Sequence, residues 1–283
     1  LPAAAGAQSR GDGQLTVAAS FDAVAELARA VGGDLIRVET LIPPGVEPHD
    51  FTPSVKTAMH LKGARVFVIN GLGMEPWAGK LAASAGSRDL LLVTASQGAR
   101  PILSTDPDEV KEHGASDPHL WLSLSGAAIE VRGIAAALEK ADPKNAAAYR
   151  RNAGRFIAEL DALKARYARV FKSARRRFFV TGHAAFAYLC RDFGLEQKSV
   201  EGVFAEGEPT PKRLAQLTAE LRKAGVKTVF SEELASPAVS RTLAREAGAR
   251  VETIYTMESA EDGKSYLERM KSNLEKIARA LNE

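Results

Sequence analysis

Short apolar, β-branched runs alternate along the chain with stretches whose apolar residues recur every three to four positions. That alternation predicts an α/β protein with mainly parallel sheets. In the first half the runs predict strands over 15–19, 36–42, 65–70 and 90–95, with helices over 22–31 and 53–61. In the second half they predict strands over 177–181, 228–231 and 251–255, a weaker one over 199–204, and helices over 184–193, 211–224, 237–247 and 264–281. Two similar α/β lobes follow from this order.

One element between them differs from the rest. From position 143 to 174 the only glycine is Gly154, and no proline follows Pro143. Tyr149, Ala153, Phe156, Leu160, Leu163, Tyr167 and Val170 recur at steps of four and three, which is one face of a helix. Asp142 and Pro143 offer a cap and a first-turn proline. Such a helix would be about 48 Å long. A coiled-coil dimerisation helix is the other reading of this face, but clean e/g charge pairing is missing. A rigid helix bridging two lobes suits the flanking α/β units better. The expected division is a flexible tail over 1–14, an N-terminal lobe over 15–141, a linking helix over 142–174 and a C-terminal lobe over 175–283.

Charge removes some functions from consideration. Thirty-eight Lys and Arg against 35 Asp and Glu leave a net +3, with no basic stripe interleaved with aromatics, so no nucleic-acid partner is expected. No uninterrupted apolar stretch approaches the roughly 18–20 residues a spanning helix needs, so a soluble protein is expected. The Gly/Ala-rich start, opening on Leu1, reads as a tether or post-signal spacer. Cys190, the single cysteine, sits among apolar residues and reads as a small buried hydrophobe.

Three of the five histidines share one kind of position, in loops at the ends of predicted strands or entering the next element. His49 lies in Glu47-Pro-His49-Asp after the second strand, His119 in Asp117-Pro-His119-Leu-Trp, and His183 in Thr181-Gly-His183-Ala at a strand-to-helix turn. In open α/β sheets the carboxyl ends of strands face the ligand crevice. Two lobes would then supply His49 and His119 from one wall and His183 from the other. Imidazole is a common zinc ligand, and Pro48 and Pro118 restrict the backbone before two of the three. Any one of these histidines read alone is an ordinary loop residue, and the short HExxH, CxxC and EF-hand signatures are absent. His60 reads as a solvated helix-end residue, and His113, in an acidic loop, as a solvated residue or an accessory metal-capturing one.

The segments Pro44-Gly-Val-Glu-Pro-His49-Asp-Phe-Thr-Pro-Ser54, Asp117-Pro-His119-Leu-Trp-Leu-Ser123 and His183-Ala-Ala-Phe-Ala-Tyr-Leu189 resemble signature stretches of the zinc/manganese-type ABC-transporter solute-binding proteins, the ZnuA/TroA-like family. Glu208-Pro-Thr-Pro211, Val229-Phe-Ser-Glu232 and the stretch from Ser265 to Asn273 resemble its later landmarks, in order over nearly the whole chain. The resemblance implies two α/β lobes bridged by one long helix, with a metal site in the cleft between them. It also implies a periplasmic or lipid-anchored protein on the outer face of the cytoplasmic membrane, delivering a divalent cation to an ABC permease. A monomer is expected.

The departures from the family pattern bear on the ligands. Many relatives place a fourth, carboxylate ligand after the last strand of the second lobe, where this chain has Met257, and Glu258 is the nearest carboxylate. Glu258, Asp262, Glu232 and water are the candidates for the fourth position. Three imidazoles favour Zn2+ over the harder Mn2+, which remains an option, and the affinity order also admits Cu2+ and Ni2+. The alternatives are a zinc-dependent hydrolase, with Glu47, Glu232 or Glu258 as general base, and a manganese-specific binding protein or adhesin of the same fold. A binding protein rather than an enzyme is the expectation.

Overall fold

The computed structural model describes residues 13–104, 110, 116–204, 210–234, 237–261 and 263–283. Strands β1 (Leu15–Ala19), β2 (Ile36–Thr40), β3 (Val66–Ile69) and β4 (Leu91–Thr94) form a parallel sheet in the order β2-β1-β3-β4. Its register pairs Leu15 with Ile36, Val17 with Val66 and Val66 with Leu91. All four residues of β3 are buried, as an unbroken Val-Phe-Val-Ile run requires of an inner strand covered on both faces. The helices of this half are α1 (Asp22–Gly32), α2 (Val55–Leu61), α3 (Ala78–Ser84) and α4 (Leu124–Ala141). Ser54 opens α2 with a reciprocal capping box to Thr57.

The second half holds β5 (Phe178–Thr181), parallel to β6 (Glu196–Ser199), and β7 (Thr228–Glu232), parallel to β8 (Arg250–Ile254); β5 lies beside β7. Helices α6 (Ala187–Phe193), α7 (Pro211–Ala224), α8 (Ala238–Ala247) and α9 (Tyr266–Ala280) surround them. Thr210 caps α7 and Ser265 caps α9, the latter through a capping box with Glu268.

Between the halves lies α5 (Ala146–Lys172), preceded by a 3-10 turn over Pro143–Asn145. Its 27 residues span about 40 Å, shorter than the expected helix because the proline turn and the final residues lie outside it. Asp142 does not cap it; its carboxylate instead accepts hydrogen bonds from Asn145 Nδ2 and the Tyr149 hydroxyl. The expected apolar face is buried from Tyr149 to Tyr167, and Phe171 completes it in place of the half-buried Val170.

That face is consumed within the chain. It packs on α1 and α4 on one side and on α6 and α9 on the other. One hydrophobic core therefore runs from Val17 and Val68 through Leu160 and Phe171 to Leu189 and Leu274. Polar contacts reinforce the join. Arg269 of α9, 1% exposed, donates to Asp22 of α1 at 2.6 Å and to the Ser259 carbonyl at 2.9 Å. The Trp121 indole donates to the Thr256 carbonyl at 2.7 Å, and the Tyr266 hydroxyl to the Trp121 carbonyl at 2.5 Å.

Three expectations need correction. The strand placed over 199–204 is β6 at Glu196–Ser199, a polar Glu-Gln-Lys-Ser run that carries no apolar signal. Helices α3 and α4 were not foreseen. The less buried face of α4 includes Ile129, Gly133 and Ala136 beside Ser125, Arg132 and Glu139, so the polar stripe that reveals an amphipathic helix is weak. Its two glycines also lower helix propensity, yet they allow close approach: a Cβ on Gly126 would lie 2.1 Å from the Leu120 carbonyl oxygen.

Within α4, Glu130 is fully buried and neither carboxylate oxygen has a hydrogen-bond partner among the described residues. Burial, with the nearby Glu75 carboxylate adding to it, pushes Glu130 well above the usual carboxylate range. A folded-state pKa above the unfolded value means that stability falls as pH rises above about 4.3. Replacing Glu130 with the similarly sized Met should therefore stabilise the metal-free protein at pH 7 by about 1–3 kcal/mol. Urea unfolding at pH 7 and pH 5 checks this, with the gain shrinking at the lower pH. A destabilised Glu130→Met would show that the carboxyl has a polar role.

Candidate metal centre

Three of the candidate ligands lie in segments that follow a strand, and the fourth enters a 3-10 turn. His49 follows β2 after a turn in which Gly45 takes φ 80°, and it precedes the capped α2. His119 opens the 3-10 turn Leu120–Leu122, whose three residues are buried. His183 follows β5, and Glu258 follows β8. Gly182 leaves room for Glu232, whose Oε2 would lie 2.1 Å from a Cβ there and would have to move.

The four side chains converge. His119 Nε2 lies 3.2 Å from His49 Nε2 and 3.3 Å from His183 Nε2. Glu258 Oε1 lies 3.6 Å from both His49 Nε2 and His119 Nε2. One donor atom from each of the four falls within 4.8 Å of every other. A tetrahedral ion with bonds of about 2.0–2.1 Å separates its ligand atoms by about 3.3–3.4 Å. The spacings given lie close to the edges of such a tetrahedron. All four side chains are at most 5% exposed, and among the described residues Glu258 Oε1 has no hydrogen-bond partner. A buried carboxylate oxygen aimed among three imidazole nitrogens is an acceptor without a donor, and a cation satisfies it.

Supporting groups orient the ligands. Asp117 Oδ1 accepts the His119 backbone N–H at 2.8 Å and lies 2.9 Å from His119 Nδ1, which leaves Nε2 to face the cluster. Glu232 Oε1 accepts the His183 backbone N–H at 3.1 Å and lies 3.6 Å from His183 Nδ1. Glu232 thus stands behind His183, on the Nδ1 side. Gln197 of β6 donates to the His183 carbonyl at 2.7 Å and accepts the Phe186 N–H. Asp117 was legible as part of an Asp-Pro-His motif. Gln197 had no signal, because the strand carrying it is polar.

The electrostatics of the cluster are tightly coupled. Burial alone would lower His119, but Asp117 and Glu258 outweigh it and raise its pKa to about 9. His183 is lowered to about 3, chiefly by burial. Burial would raise Glu258, yet the imidazoles of His119, His49 and His183 hold it well below the usual range. Glu47 is raised to about 8 by burial and by the charge of Glu258, and its carboxylate accepts the His49 N–H.

The remaining candidates lie elsewhere. His60 is exposed on α2, 3.9 Å from Glu39. Cys190 is buried, with its thiol pushed up by desolvation. His113, Asp262 and the Glu208-Pro209 landmark lie outside the described residues. Met257 explains the shifted carboxylate. Its side chain is fully buried in the main core and its backbone is left-handed at φ 61°, so the next residue, Glu258, faces the histidines. A left-handed non-glycine residue costs about 1–3 kcal/mol and persists only where its surroundings hold it.

Two parallel α/β lobes, joined by a long helix and sharing a buried three-histidine, one-carboxylate cluster, define a metal-ion-binding protein of the two-lobed type. The chain belongs to the family described as the zinc-uptake complex component A, periplasmic, which it matches over residues 17–280. This is a family of metal-binding transport proteins, not of enzymes. A Treponema pallidum protein provisionally described as metal-binding is 44% identical over 278 residues, covering 95% of this chain and 88% of that protein. The high-affinity zinc uptake system protein ZnuA of Bacillus subtilis is 35% identical over 287 residues, covering 97% and 90%. Among solved structures, a zinc-bound ZnuA deletion mutant superposes with a TM-score of 0.84 at 30% identity, over 95% of this chain and 99% of that one.

Proposed function

We propose that this chain is the extracytoplasmic substrate-binding component of a metal-ion ABC importer. In this reading it holds one Zn2+ as cargo through His49, His119 and His183 Nε2 and Glu258 Oε1, and delivers it to a membrane permease. The observation that carries the reading is the convergence of four buried donors, four of whose six spacings (3.2, 3.3 and twice 3.6 Å) lie close to the edges of a zinc tetrahedron and all of which fall within 4.8 Å. Family membership supports the transport role, and the names of the relatives support zinc.

Each residue has a distinct task. Three neutral imidazoles suit a borderline-soft ion, and one carboxylate offsets half of its charge. Asp117 fixes the His119 ring and strengthens its donor nitrogen. The family's periplasmic description supports an extracytoplasmic location, and among the described residues no helix is long and apolar enough to cross a membrane. The lobes would run over 15–141 and 175–283, joined by 142–174. A monomer fits a long helix whose apolar face is already covered by its own chain.

The test is calorimetric titration of chelator-treated protein with Zn2+ and Mn2+. One tight zinc per chain, with much weaker manganese, is expected; no saturable zinc binding would sink the proposal. The same experiment reads protons. The sequence alone suggests that affinity falls below the ordinary histidine range near 6–7. Asp117 and Glu258 raise His119 to about 9, so zinc competes with a proton there and affinity should keep rising with pH above the ordinary histidine range. Titrations at pH 7.5 in buffers of different ionisation enthalpy should show net proton release on zinc binding, to which both His119 and Glu47 contribute. No proton release at that pH would show that His119 is already neutral.

A further inference from the structure

The end of β7 presents two consecutive carboxylates that serve different loops. Glu232 reaches the His183 turn, as described. Glu233 turns the other way, to the loop after β8. Its Oε2 accepts the Thr256 backbone N–H at 2.7 Å, and its Oε1 accepts the Met257 N–H at 2.7 Å. The Thr256 hydroxyl lies between two carboxylates, 2.7 Å from Glu258 Oε2 and 3.2 Å from Glu233 Oε1, so its single proton is directed to Glu258. The Trp121 indole fixes the same segment from the opposite side through the Thr256 carbonyl.

These contacts fall on the two residues that decide where Glu258 points. Met257 is left-handed without being glycine, and such a conformation holds only when its N–H and its neighbours are pinned. Glu233 pins both N–H groups with one side chain. The Thr256 hydroxyl then engages one oxygen of Glu258, leaving the other, Oε1, free among the imidazoles.

From this geometry we infer that Glu233 is a positioning residue for the fourth ligand, holding the 256–257 turn so that the Glu258 carboxylate meets the three histidines. The inference rests on the zinc-binding reading above. Glu233 accepts no hydrogen bond from a proposed ligand side chain, so its positioning effect passes through the turn that carries Glu258. That gives it a signature that a merely structural residue would lack.

The test uses the full chain, with zinc and Co2+ as probes. Glu233→Ala should weaken zinc about 10–100-fold, the range for groups that orient ligands. Glu233→Gln keeps one acceptor oxygen but cannot accept both N–H groups, so a smaller loss is expected. The visible bands of the cobalt-loaded variants should shift toward those of Glu258→Ala, in which water replaces the carboxylate. The double variant Glu233→Ala/Glu258→Ala should bind no more weakly than Glu258→Ala alone. Should Glu233→Ala fail to fold, Glu233→Gln carries the test through its spectrum and through faster amide exchange at Thr256 and Met257. Wild-type affinity and spectrum in the Glu233 variants, or fully additive losses in the double variant, would overturn the inference while leaving the zinc site intact. Failure of the unmodified protein to take up either metal would instead remove the reading on which the inference stands.

Discussion

Replacement of His119 by alanine is expected to lower zinc affinity by about 100-fold or more. The four donors together would supply on the order of 10–16 kcal/mol, so one ligand accounts for about 3 kcal/mol, or about two powers of ten. His119 should lie at the severe end, because its Nε2 is the atom that neighbours all three other donors. Its loss also strands Asp117 as a buried carboxylate without its imidazole partner. His60→Ala, at an exposed site on α2, should bind like the unmodified protein. Competition against a chromophoric chelator measures both. Equal affinity in His119→Ala and the unmodified protein would refute the proposed ligand set.

The second large effect concerns stability. Asp22→Ala should destabilise the metal-free protein by about 3–5 kcal/mol, because it leaves the Arg269 guanidinium buried without its counter-charge. The pair itself is far from ideal. Burial raises the Asp22 carboxyl above its usual range despite the attraction of Arg269, and Arg269 Nε has no hydrogen-bond partner. Replacing both residues together, as Asp22→Leu/Arg269→Met, should therefore cost much less than Asp22→Ala alone. Urea unfolding in the presence of chelator reads both variants. A loss under about 1 kcal/mol for Asp22→Ala would show that this contact contributes little to joining the lobes.

Most of the sheet framework was legible because buried parallel strands are continuous apolar runs, as in Val66–Ile69. The linking helix was legible because its buried face is a regular row ending in Phe171. β6 was misplaced because its residues are polar and its strand character comes from pairing with β5. α4 was missed because its less buried stripe, Ser125, Ile129, Arg132, Gly133 and Ala136, mixes apolar with polar residues and so carries little sequence contrast. Three of the four candidate ligands could be read because proline- and glycine-marked loops at strand ends hold histidines. Glu258 was only one of several options, because its direction depends on a left-handed Met257 and on Glu233, 25 residues away in sequence (258 − 233). No local pattern encodes that contact.

The single core running from the first sheet through the long helix into the second lobe has a consequence for timing. With no open jaw to swing shut, capture has no slow closure step to wait for, and encounter plus the shedding of water from the ion would bound the on-rate. Under the proposed four-donor site, discrimination among metals would then fall on residence time. In the proposed importer role, a permease would shorten that residence by displacing ligand side chains, without having to prise apart two packed bodies.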